Sequence, residues 1–295
     1  MIHSVRQYNK QKLRFLRLLK LLYLFFFPTF ITAKDEVIFE NRIIGGVSSN
    51  ASLYPYFVSI QAIYIDDNKR QQIISCGGTL IAGNVIMTAA QCLDTGNNDK
   101  YFVSMINVLF HHNVDYYQAS GWEYHADYTV EPKNVRNDIA LIYLKESAPF
   151  DIQPIKLIFD GRPDPSDTDS TLKIMGFGAT ENDYNDDGKL KEVSFPGILS
   201  HRNCRNLFGG MINTNLQFCT GSTTQKAACG GDSGGPAILQ NRNQNFQIGI
   251  ISFGAPECSR GVTTYTRISG YENWIKNRVC TRNDIPTFPE WCEKE

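Results

Sequence analysis

Between Phe57 and Ile268 the chain is a succession of short runs rich in β-branched and aromatic residues, and that texture limits it to all-β architectures. Phe57–Tyr64, Ile73–Ser75, Thr79–Ile81, Val85–Thr88, Phe102–Leu109 and Ile139–Leu144 form one set. Leu172–Met175, Lys191–Ile198, Gln217–Cys219, Ala237–Leu239, Phe246–Ser252 and Thr263–Ile268 form another. Turn signals such as Asp66-Asp67-Asn68, Asn97-Asn98-Asp99 and Asp186-Asp187-Gly188 separate them. Pro163 and Pro165 mark Phe159–Ser170 as a connector between the sets. Strands at this spacing predict barrels or a sandwich rather than alternating α/β units. One helix is marked, over 270–279. Ser269 with Glu272 fits a capping box, and Tyr271, Trp274, Ile275 and Val279 fall on one apolar face.

The first residues have a different texture. Arg6, Lys10, Lys12, Arg14, Arg17 and Lys20 precede an apolar stretch from Leu21 to Ala33. A basic segment, a short apolar run and a small residue predict a signal peptide over 1–33 and a secreted protein. The run is short of the ~20 residues a membrane span needs, so no membrane is expected. Eight cysteines, all beyond the leader, fit disulfides in an oxidising compartment, although spacing alone does not choose their pairing. A net charge of −1 gives no electrostatic case for nucleic acid as a partner.

Four segments carry chemistry: Arg42-Ile43-Ile44-Gly45-Gly46, Thr88-Ala89-Ala90-Gln91-Cys92, Asn137-Asp138-Ile139-Ala140-Leu141 and Gly231-Asp232-Ser233-Gly234-Gly235-Pro236. In this order, with Cys76-Gly77-Gly78-Thr79-Leu80-Ile81, Gly176-Phe177-Gly178, Ser252-Phe253-Gly254 and Tyr265-Thr266-Arg267, the chain resembles the trypsin/chymotrypsin family of serine peptidases from about Ile43 to Val279. The resemblance implies two six-stranded antiparallel β-barrels, about 43–158 and 171–268, with a C-terminal helix and a cleft between the barrels. It also implies a short activation propeptide at 34–42 and leaves 280–295 as a tail. No further domain and no cofactor are expected.

A seryl hydroxyl needs a base within hydrogen-bond reach, and imidazole serves because it is basic near neutral pH. A buried carboxylate then fixes its tautomer. By resemblance Ser233 is the nucleophile position, Asp138 the orienting carboxylate, and the amides of Gly231 and Ser233 the oxyanion hole. Gln91 stands where the base belongs. Its amide has a donor for Asp138 and an acceptor for Ser233, but no useful basicity. Of the other histidines, His3 lies in the leader, and His111, His112, His125 and His201 match no catalytic position. Adjacent strand residues such as His111 and His112 point to opposite faces, so no metal site is expected.

Arg42-Ile43 resembles a zymogen cleavage site for a trypsin-like activating peptidase, after which the Ile43 amine would pair with Asp232. The pocket floor falls on Ala227 beside Ala228, with Ser252, Phe253 and Gly254 on one wall and Thr263 on another. That set implies an apolar, medium-sized pocket for a protein or peptide ligand. The family pattern implies Cys76–Cys92, Cys204–Cys219 and Cys229–Cys258, leaving Cys280 and Cys292 to pair or to bridge to another molecule. Asn50-Ala51-Ser52 is a glycosylation sequon. The expected function is a secreted serine-peptidase homologue, a pseudoenzyme that binds protein or regulates proteolysis. The alternative is an active endopeptidase of apolar, chymotrypsin- or elastase-like specificity using another base.

Overall fold

The computed structural model describes residues 43–94, 101–111, 115–131, 134–159, 170–177, 189–241, 244–255 and 257–292. The expected leader and propeptide, Arg42, His112, Gly178, the turn signals at 97–99 and 186–188, and the two connector prolines lie outside them.

The architecture is all-β with a C-terminal helix, as the run pattern predicts. Strands β1 (Val47–Ser48), β2 (Phe57–Asp66), β3 (Gln71–Ala82), β4 (Val85–Thr88), β5 (Tyr101–Phe110), β6 (Tyr116–Tyr124), β7 (Thr129–Glu131), β8 (Asn134–Arg136) and β9 (Ala140–Leu144) form the first half of the chain order. Then come β10 (Lys156–Leu157), β11 (Ser170–Gly176), β12 (Lys191–Phe195), helix α1 (His201–Leu207), β13 (Gln217–Gly221), β14 (Pro236–Asn241), β15 (Gln244–Gly254), β16 (Val262–Arg267) and helix α2 (Glu272–Val279).

The strands β2-β3-β4-β9-β6-β5 close into a barrel. Alternation in β2 explains its register: Val58, Ile60, Ala62 and Tyr64 are buried, while Ser59, Gln61, Ile63 and Ile65 face outward. β9 is buried throughout, because its outer face is covered too. The second sheet runs β1-β12-β11-β14-β15-β16-β13, with β10 paired in parallel to β15. Its seam is not a ladder. Pro196 follows β12 and has no N–H to extend pairing, and one bond, Leu199 N to Cys219 O at 2.8 Å, links that turn to β13.

The ends of the domain cross over. Residues Ile43–Ser48, expected at the start of the first barrel, belong to the second sheet: β1 pairs with β12, and Ile43 sits in the core with Leu172, Val193 and Phe195. The helix lies on the first barrel, where Tyr271, Ile275 and Val279 share a cluster with Ile86, Leu141 and Leu144.

The capping box at Ser269 does not form. Ile268–Tyr271 is a 3₁₀ turn, the α-helix starts at Glu272, and its N-cap Tyr271 makes no side-chain cap bond. Leu216 and Asn215 pack closely against Gly270, which ties this turn to the body rather than leaving it to a local cap. Six elements carried no sequence signal: β1, β6, β7, β8, β10 and α1.

Candidate active site

Each site residue is placed by a distinct local device. Gln91 lies in the 3₁₀ turn Ala90–Cys92 that ends β4, and Cys92 is bonded to Cys76 of β3. Asp138 precedes β9 and follows Asn137, whose φ of 51° is left-handed. Asparagine tolerates that region, and here its side chain is fixed at both ends: Tyr271 OH donates to its Oδ1 at 2.9 Å and its Nδ2 donates to Asp127 O at 2.7 Å. Ser233 sits on the turn before β14. At Gly234 φ is +82°, and a Cβ would collide with Thr88 Oγ1 and Gly77 O, so only glycine lets this turn seat against β3 and β4.

Asp138 is 1% exposed and fully engaged. It accepts from Gln91 N at 2.9 Å, from Gln91 Nε2 at 2.8 Å and from Ser252 Oγ. Burial pushes its carboxyl above the usual carboxylate range, and the bonds from Ser252 and Gln91 only partly oppose that.

The remaining proton of Gln91 Nε2 goes to Ser252 O. Ser233 Oγ points to the same carbonyl, at 3.5 Å. The expected acceptance by the Gln91 carbonyl from Ser233 therefore does not form: the amide turns both N–H groups inward, toward the anion and a carbonyl. Ser252 was assigned only to the pocket wall. It also donates to Asp138 and accepts from Gln91 and Ser233, and Thr266 of β16 donates to Asp138 O at 2.8 Å. The Ser252-Phe253-Gly254 motif located it but gave no sign of that role.

In the Ser233 turn, the amides of Asp232, Gly234 and Gly235 donate to Cys229 O, Ile251 O and Asp232 O at 3.1, 2.8 and 3.0 Å. Among the described residues the amides of Gly231 and Ser233 have no protein acceptor, and Gly231 has φ +83°. Two donors beside a hydroxyl are thus available to an oxygen of a ligand.

Ile43 N donates to Asp232 Oδ2 at 2.7 Å in a buried site, and Cys229 N donates to the same oxygen at 3.0 Å. Gly176 makes room for this carboxylate, since a Cβ there would strike it. The next residue, Ile44, clamps Ala227 through N–H···O bonds of 2.9 and 3.3 Å. Ala227, Ala228 and Thr263 are buried together, and Thr263 Oγ1 accepts from Ala228 N at 3.0 Å. Thr263 pairs with Gly254 across β15 and β16.

The cysteines are bonded as Cys76–Cys92, Cys204–Cys219, Cys229–Cys258 and Cys280–Cys292. The histidines among the described residues lie elsewhere. His111 pairs with Ser59 and stacks on Phe177, His125 packs against Tyr271 and Trp274, and His201 opens α1. Among the described residues no helix is long and apolar enough to cross a membrane.

Comparison with known proteins agrees with this geometry. The family model described as Trypsin matches residues 43–275. Phenoloxidase-activating enzyme 1 of Spodoptera litura is 30% identical over 82% of this chain and 68% of its own length. Chymotrypsin-C of Bos taurus is 31% identical over 81% of this chain and 89% of its own. Among solved structures, one titled as HL collagenase superposes with a TM-score of 0.65 at 23% identity, covering 81% of this chain and all of that one, which speaks to fold alone. A matched family model over most of the chain and relatives at 30% identity or more lead to one conclusion: the chain belongs to the trypsin family.

Proposed function

We propose that this is a secreted trypsin-like protein that binds polypeptide in its cleft and does not cleave it efficiently, acting in the regulation of proteolysis. One observation carries this reading. Both protons of Gln91 Nε2 are directed at Asp138 and Ser252 O, and among the described residues Ser233 Oγ has no base beside it. Without a proton acceptor the hydroxyl attacks poorly. Loss of one member of such a triad costs ~10⁴- to ~10⁶-fold in turnover.

The rest of the assembly supports retention of a binding cleft. Ser233, the Gly231 and Ser233 amides as an oxyanion hole, and Asp138 keep their roles in this reading. Cleavage after Arg42 by a trypsin-like peptidase would make Ile43 N an ammonium, and its buried pairing with Asp232 would then order the turn. The floor at Ala227 and Ala228 offers no carboxylate, so an apolar side chain fits there. The name of the Spodoptera relative points to activation of phenoloxidase, and regulation of a comparable activation step is the role we assign to this chain. Asn50 is exposed, which suits a glycan.

The test is to cleave purified protein after Arg42 and assay apolar peptide substrates with wild type, Gln91→His and Ser233→Ala. We expect turnover from Gln91→His at least ~10³-fold above wild type. Wild-type turnover at ordinary enzyme rates, abolished by Ser233→Ala, overturns the proposal in favour of an active endopeptidase.

A further inference from the structure

Asn50-Ala51-Ser52, the only sequon in the chain, sits on a turn whose ends are pinned and whose crest is not. Before it, Ser49 N donates to Leu190 O at 2.8 Å and Ser49 Oγ donates to Glu192. After it, Tyr54 is buried and its hydroxyl donates to the same carboxylate. Between these anchors Ala51–Leu53 forms a 3₁₀ turn with Asn50 as its N-cap, and Asn50, Ser52 and Leu53 face solvent. Ser52 N donates to Asn50 Oδ1 at 3.0 Å. Among the described residues Asn50 Nδ2 and Ser52 Oγ make no hydrogen bond.

Two exposed apolar side chains flank the crest. Leu53 is 61% exposed, and its N–H donates to Asn50 O at 3.0 Å, which places Leu53 on the Asn50 side of the turn. Val47 is 64% exposed on β1, the end strand of the second sheet, and the outer edge of β1 pairs with no strand among the described residues.

We propose that Asn50 carries an N-linked glycan whose first sugars cover Leu53 and the open edge beside Val47. The donor is a polyprenyl-pyrophosphate-linked oligosaccharide. A bond forms between Asn50 Nδ2 and C1 of the first sugar, the bond from C1 to the pyrophosphate oxygen breaks with its electron pair leaving on that oxygen, and one Nδ2 proton is released. The folded turn accommodates the product. Oδ1 stays a carbonyl acceptor, so Ser52 N keeps its bond, and Nδ2 has no other partner to give up. The pinned ends fix the direction in which the sugar leaves the surface. An exposed apolar side chain at an open strand edge invites association, and a bulky hydrated sugar over it blocks that approach without altering the fold. The proposal rests on the reading of the chain as secreted, because the transfer takes place on the secretory route.

The experiment expresses the full chain in cultured eukaryotic cells and treats the secreted protein with peptide N-glycosidase in heavy-oxygen water. Peptide mass then reads an occupied Asn50 as a labelled aspartate. We expect label at Asn50, and loss of the glycan in Ser52→Ala. That variant keeps the backbone N–H that bonds Asn50 Oδ1, so it should melt like the deglycosylated wild type. It should also bind more of a fluorescent apolar dye than the glycosylated protein, and adding Leu53→Ser should remove that gain. Unlabelled Asn50 in the secreted protein overturns the proposal. So does dye binding that is the same with and without the glycan. Protein held in the cytosol sinks the secretion reading instead. The same measurements are then made with a heterologous signal peptide in place of residues 1–33, where an unmodified Asn50 again overturns the proposal.

Discussion

Gln91 keeps the shape of its position and changes its chemistry. An imidazole and a primary amide both offer an N–H to Asp138, and the amide adds a second for Ser252 O. This gives Gln91 a structural role that can be measured apart from catalysis. Gln91→Ala removes a donor from a buried carboxylate whose pKa burial already raises. A carboxyl with a raised folded pKa contributes stability below its unfolded value, near ~3.9, and loses it as pH rises through the folded value. Removing the donor raises the folded pKa further. Gln91→Ala should therefore cost ~1–3 kcal/mol at neutral pH, and the penalty should shrink in acid, as thermal melts across pH would record. The sequence made Gln91 conspicuous because Thr88–Cys92 is a recognisable frame. Ser252 was legible only as part of a motif, since its hydroxyl and carbonyl acquire their partners from segments far away in the chain.

At the level of elements, β1 is only Val47–Ser48 and gains its place from side chains. Glu192 of β12 accepts from Ser49 Oγ and Tyr54 OH at 2.6 Å each, and Lys173 of β11 completes an ion pair at 3.2 Å. Burial acts to raise the Glu192 pKa, but these bonds outweigh it and hold the carboxyl below its usual range. A depressed folded pKa gives stability that is present above the unfolded value, near ~4.3, and is lost as pH falls through the folded one. Glu192→Gln should cost ~1–2 kcal/mol near pH 7 and flatten the acid limb of the stability curve. Loosening this clamp should also weaken the neighbouring Ile43–Asp232 contact, read as slower recovery of ligand binding after acid exposure. Nothing in the local sequence announces β1 or the clamp. β6 was invisible for a related reason: none of its residues is fully buried, so it has no apolar stripe to read. The long strands β2 and β5 were legible because one face of each is in a core, and β15 because its middle, Gln247–Ser252, is buried on both faces.

Over the whole molecule, the order of strands followed from the runs, whereas the allegiance of the ends did not. Periodicity reports which face of an element is buried and is silent about which neighbour buries it. Residues Ile43–Ser48 serve the second sheet and α2 serves the first barrel, each pinned by contacts distant in sequence. The Cys280–Cys292 bond extends the second strap, holding Ile285 in the first core cluster. Replacing both cysteines with serine should lower stability by ~2–3 kcal/mol, as denaturant titration would show, while leaving peptide binding in the cleft intact. The crossed ends have a calorimetric consequence. Neither half can melt while the other stays folded without stripping an end from its seat. Heating should then give one endotherm with matching calorimetric and van't Hoff enthalpies, and cutting the chain before α2 should split that peak in two.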